Sequence, residues 1–125
     1  RKGMLKDTVH TVVLDSVYMA GVRALKERDY KTAIIYLKDY NCLNAAIAYI
    51  SMDYNNSAYK VLQNLPESAD RDYLFAVVCS RLGDEKRAVE YFMNAVELEP
   101  SMRHRGNLDP EISLLITKHN LFTNY

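Results

Sequence analysis

Three stretches of this chain share one internal spacing, and that spacing leaves few folds open. A small residue is followed twelve positions later by a second small residue, and four positions after that by a large apolar one. The sets are Gly21, Ala33, Leu37; Ala46, Ala58, Leu62; and Ala76, Ala88, Phe92. Tyr40, Leu65 and Ala95 close them, each three residues further on. The intervals between stretches vary, with 25 residues from Gly21 to Ala46 and 30 from Ala46 to Ala76. Constant offsets inside variable intervals mark repeated structural units rather than shared composition.

The third stretch, Arg71 to Pro100, shows what the unit is. Leu74, Phe75, Val77, Val78 and Leu82 precede a Leu82-Gly83-Asp84 break. Ala88, Val89, Phe92, Ala95, Val96 and Leu98 follow it at steps of mostly three and four. That period predicts two helices, each with a buried face. Gly83 suits the left-handed residue that ends the first, and Pro100 stops the second. Ala76, Ala88 and Ala95 let the two helices approach closely where they cross.

Ala76, Gly83, Ala88, Phe92, Ala95 and Pro100 stand where a tetratricopeptide repeat has its small, turn, aromatic and terminating positions. The stretch resembles that family. It departs at Cys79, where an aromatic is usual, and at Asp72, where Trp is frequent. The resemblance implies an all-α fold, a right-handed stack of about three antiparallel helix pairs, with an extra helix capping the open end of the stack.

Along the chain, the pairs are expected at about 15–40, 42–65 and 69–99. The first pair combines a helix from about residue 15 to 26, capped by Asp15 or Ser16, with a return helix over Tyr30–Asp39. Asn41 is expected to turn the chain in the left-handed conformation that Asn tolerates. Leu43–Met52 and Asn55–Asn64 form the second pair, with Ala58 preferred over Ser57 as its small residue. Ser68 is the N-cap of the third. The basic, Gly-containing stretch 101–107 reads as a loop. Asp109-Pro110-Glu111 then starts a capping helix over Pro110–Asn120, with an N-cap, a first-turn proline and an acid. In the lead segment 1–14, the β-branched Thr8, Val9, Thr11, Val12 and Val13 suggest a strand, while Val9, Val12 and Val13 also fit one helical face, which an all-helical context favours. Arg1-Lys2-Gly3 opens without Met, as in a piece of a longer chain. The tail Arg105–Ile112 is similar to tails of repeat segments in Gram-negative cell-envelope proteins related to peptidoglycan-binding outer-membrane proteins, which implies an envelope location.

Composition narrows the function by exclusion. Sixteen basic and sixteen acidic residues cancel, so no electrostatic argument favours nucleic acid or an anionic membrane surface. No apolar run approaches the roughly 20 residues that span a bilayer, so direct membrane insertion is not expected. Cys42 and Cys79 have no metal-like spacing and read as free thiols. His10, His104 and His119 are scattered, and the four glycines are isolated. No catalytic, cofactor or metal site is therefore expected. Asp70 and Asp72 suit the first turn of a helix better than acid–base work. Arg103-His104-Arg105 reads as solvated loop.

What remains is binding by shape. In a stack of this kind the first helices of the pairs line one concave face. By position they present Tyr18, Val22 and Lys26, then Asn44, Ile47 and Ser51, then Tyr73, Val77 and Arg81. This mixture suits an extended peptide or a helix laid in a groove. Family members that clamp a peptide's terminal carboxylate use Lys, Arg and Asn on these helices, and only Asn44 and Arg81 offer anything similar. The expected function is a non-enzymatic interaction module for a protein or peptide partner. The alternative is a structural spacer within a larger protein.

Overall fold

The computed structural model describes residues 16–123, and every regular element among them is a helix. Helix α1 (16–26) pairs with α2 (Tyr30–Leu37), α3 (Leu43–Ser51) with α4 (Asn55–Gln63), and α5 (Ala69–Arg81) with α6 (Glu85–Leu98). Helices α7 (Met102–Leu108) and α8 (Pro110–Lys118) follow. The architecture is the all-α helical-repeat fold that the resemblance implied.

One turn ends each of α1, α3 and α5. Arg28, Asp53 and Gly83 take positive φ values of 61°, 61° and 86°. Beyond each, a backbone N–H reaches back five residues: Asp29 to the Ala24 carbonyl, Tyr54 to Tyr49 and Asp84 to Cys79, at 2.8–2.9 Å. These bonds satisfy carbonyls that the helix end leaves open. The return helix starts one residue later. Asp29 and Asp84 cap it by accepting from the backbone N–H groups of Thr32 and Arg87. In the middle pair Asp53 takes the left-handed place, so Tyr54 falls at the cap and makes no side-chain cap bond. The register preferred for this pair holds, since Ala58 is fully buried while Ser57 is exposed.

The small positions are seats for the return helices. A Cβ on Gly21 would lie 2.5 Å from Leu37 Cγ, closer than real side chains approach. Ala33, Leu37, Ala46, Ala58, Leu62, Ala76, Ala88 and Phe92 are all fully buried. Two apolar clusters result. A smaller one joins Ala24, Ala33 and Leu37 to Ala45 and Ala48 of α3. A larger one runs from Ala46 through α5 and α6 to Ile112 and Leu115 of α8.

Three expectations need correction or lie elsewhere. The stretch 101–107 is helical, not a loop. Met102 is buried, and Gly106 sits where a Cβ would be 2.6 Å from the Phe92 ring, so its missing side chain brings α7 onto the core. Asn41 is not left-handed. Helix α2 stops at Leu37, and residues 38–42 give the chain room to turn without a positive φ. The lead segment 1–14 and an Asp15 cap lie outside the described residues. Ser68 caps α5 by accepting from the Arg71 N–H at 3.1 Å, and Asp109 caps α8 by accepting from the Glu111 N–H at 3.0 Å.

Candidate functional site: the face of the first helices

Repeat spacing places the same three positions of each first helix on one side. Tyr18, Leu43 and Tyr73 lie three residues before the small seat; Val22, Ile47 and Val77 lie one after it; Lys26, Ser51 and Arg81 lie five after it. A cleft of about 460 Å³ crosses this side, lined by Tyr18, Leu43, Asn44, Ile47, Asp70, Leu74 and Arg105. It draws on α1, α3, α5 and α7. Its lining combines Leu43, Ile47, Leu74 and the Tyr18 ring with the polar groups of Asn44, Asp70 and Arg105.

Each polar group has a partner within the protein. Asn44 Nδ2 donates to the Tyr18 hydroxyl at 2.6 Å, and the Tyr18 ring lies 5.5 Å from that of Tyr40. These contacts tie α1 to α3 and fix the orientation of the Tyr18 ring. Across the cleft, the Arg105 guanidinium lies 4.1 Å above the Tyr73 ring and donates to Asp70 Oδ1 at 3.3 Å. Both partners of that ion pair remain about half exposed, so it contributes at most about 1 kcal/mol and is open to exchange.

The sequence-expected residues divide into four groups. Tyr18, Asn44 and Ile47 meet in the cleft. Ser51 and Arg81 line a second hollow of about 500 Å³ with Ile50, Asp53, Asn55 and Glu111. There Arg81 is already engaged: Nε and Nη2 donate to the Glu111 carboxylate at 2.8 and 3.0 Å, and Nη1 donates to the Ile50 carbonyl at 2.8 Å. The Glu111 bond holds the Arg81 pKa above its ordinary value. Tyr73 and Val77 do not present a surface; they are 1% and 5% exposed. This corrects their placement in the groove. Helix α8 lies beside α5, and the Tyr73 hydroxyl donates to Asp109 Oδ2 at 2.8 Å. Burial and the Asp109 carboxylate push the Tyr73 phenol well above its usual pKa. Val22 is partly buried and Lys26 exposed on α1, and neither lines the cleft.

Sequence reasoning missed Leu43, Leu74, Asp70 and Arg105. Leu43 was within reach, because it stands at the repeat position of Tyr18. Arg105 was not, because the helix that carries it was read as a loop. Asp70 and Asp72 both sit in the first turn of α5. Asp72 is fully buried, where Arg71 Nη1 at 3.0 Å and the Asn94 side-chain amide satisfy its carboxylate.

Among the described residues, no group of three or more His, Cys, Asp or Glu is placed to hold a metal ion. No helix among them is long and apolar enough to cross a membrane.

Residues 73–102, from early α5 through α6 to the start of α7, match the family model described as tetratricopeptide repeat. None of the curated proteins and none of the solved structures matches the chain. Tetratricopeptide repeats generally mediate protein–protein interaction, and the family is typically non-enzymatic.

Proposed function

The third helix pair of this chain is a tetratricopeptide repeat, and from that premise we propose that the chain is a protein-interaction module whose first-helix face binds an extended peptide or a helix. The observation that carries this reading is the cleft that joins Tyr18, Asn44 and Ile47 to Leu74, Asp70 and Arg105 across four helices. An apolar side chain of the ligand fits between Ile47, Leu43 and Leu74. Its backbone or a polar side chain meets Asn44 and the exchangeable Asp70–Arg105 pair. Main-chain contacts then supply affinity, and the apolar seat supplies selectivity.

The experiment is selection of displayed random peptides on the whole chain, followed by affinity measurement against Ile47→Glu and Asp70→Arg. Ile47→Glu should weaken the selected peptides by about tenfold or more, as loss of a central apolar anchor does. Peptides that bind both variants as well as the unaltered chain would contradict the proposal.

One observation favours the spacer reading instead. Tyr73 and Arg81, two positions of the same face, are occupied by Asp109 and Glu111 of the chain's own α8. Failure to select any peptide would support that reading.

A further inference from the structure

The cleft at Ile47 and the hollow at Arg81 lie along one furrow. Asn44, Ile47 and Ser51 form a stripe of α3, and Leu74 and Arg81 form the matching stripe of α5. On each helix the first residue of the stripe lines the cleft, and the last, seven positions on, lines the hollow. Helices α3 and α5 pack on one another. The run from cleft to hollow is about 10 Å at ~1.5 Å per helical residue. An extended peptide covers that distance in about three residues.

The two ends differ in charge. At the cleft, Asp70 and Arg105 pair one to one. The hollow sets two carboxylates, Asp53 and Glu111, against one guanidinium, Arg81. Lys26, at the repeat position of Arg81 on α1, does not line it. The donors in the hollow are committed within the protein. Arg81 gives Nε and Nη2 to Glu111 and Nη1 to the Ile50 carbonyl. The Asn55 amide donates to Asp53 Oδ1, and Ser51 Oγ donates to the Ile47 carbonyl, both at 2.8 Å. The groups left to solvent are acceptors. The Asp53 side chain is 78% exposed and that of Glu111 42%. Among the described residues the bonds to Asp53 fall on Oδ1, not Oδ2. An anionic ligand would have to break the bidentate Arg81–Glu111 pair and then face Asp53; a cation does neither.

Resting on the peptide-binding reading of the cleft, we propose that the ligand is a basic peptide segment. An apolar residue sits among Leu43, Ile47 and Leu74. A Lys or Arg three positions away places its cationic head in the hollow, against Asp53 and Glu111. The aliphatic stem of that side chain lies along the furrow while its head stays hydrated at the exposed carboxylates. Asp53 then determines specificity, and Ile47 supplies the seat common to all ligands.

The test compares three synthetic peptide sets on the whole chain by fluorescence anisotropy: Leu-x-x-Lys, Leu-x-x-Gln and Leu-x-x-Glu, with x drawn from Ala and Ser, each also in reversed order. The Lys set should bind about threefold tighter than the Gln set and about tenfold tighter than the Glu set, because an exposed ion pair adds little and a like charge costs more. The Lys preference should disappear in Asp53→Asn, where Asn also accepts the left-handed backbone, and shrink at about 0.5 M salt. Ile47→Ala should weaken the three sets alike. Equal binding of the Lys and Glu sets, still weakened by Ile47→Ala, would overturn the basic-ligand assignment and leave the cleft reading standing. Binding by none of the sets would remove both. A Lys preference that survives in Asp53→Asn puts the cation elsewhere and refutes the assignment. So does a gain in affinity for all three sets in Lys2→Gln/Lys6→Gln, which would make the chain's own lead segment the occupant.

Discussion

The first and third helix pairs follow the same spacing and end up in different physical states. In the third, α5 buries every residue from Asp72 to Cys79, because α3, α6 and α8 all pack around it. In the first, α2 buries only Ala33 and Leu37, while Ile35 is 66% exposed and Val17, Met19 and Tyr36 are exposed as well. The seats and turns are the same; the burial is not. In stacked repeats, intrinsic pair stability and interface stability add, and α2 buries far fewer of its residues than α5 does. A well-packed third pair therefore supports a looser first pair, and the looser one contributes Tyr18 to the cleft.

The largest test of this contrast is deletion of the large apolar residue in each pair. Phe92 packs edge-on against Tyr73 and Phe122 with centroid separations of 6.1 and 6.0 Å. Phe92→Ala should cost about 3–5 kcal/mol, and Leu37→Ala should fall near the lower end of the ~2–5 kcal/mol range because its smaller cluster can collapse. Urea unfolding of both variants measures the difference; a larger loss for Leu37→Ala would break the comparison.

Filling a seat is the next largest effect. Gly21→Ala places a methyl against Leu37 Cγ and should destabilise by about 1–3 kcal/mol through overpacking. A melting temperature at or above that of the unaltered chain would remove the crossing from the account. Ser68→Ala should cost about 0.5–2 kcal/mol by leaving the Arg71 N–H uncapped. Thermal melts resolve this, and the loss should be recovered by Ser68→Asp.

A separate effect is alkaline. Burial pushes the Cys79 thiol up from 9.0 to about 11. The folded state thus favours the neutral thiol. Its contribution is whole below about pH 9 and is lost as pH rises towards 11, because the unfolded chain releases the proton first. Tyr73 acts in the same direction at higher pH. Urea midpoints should fall between pH 8 and pH 10.5, and Cys79→Val should remove part of that fall. An identical fall in the variant would assign the effect elsewhere.

The pairs were legible because small seats, left-handed turns and caps are local demands of the backbone, written at Gly21, Gly83, Ser68 and Asp109. Helix α7 was not legible. Only Met102 and Gly106 bury, and a glycine that serves a close approach to Phe92 looks like a loop residue in sequence. The face of the first helices was half legible. Spacing put Tyr73 and Val77 on it, but both are buried, because whether a neighbour covers a position depends on α8, which lies more than 30 residues away. Arg81 likewise reads as a free cation until Glu111 is brought to it. The middle register rested on Leu62 and Leu65 following Ala58 at the repeat spacing, and Asp53 agrees with it because Asp accepts a left-handed backbone more readily than Tyr does.

The central claim is that one helix-pair plan yields a firm third pair carrying an adaptable first pair. Native-state amide hydrogen exchange measures this residue by residue. The account predicts that α5 amides exchange only through global unfolding, and that α1 and α2 exchange through local opening at clearly lower free energy. Equal protection of α2 and α5 would contradict it.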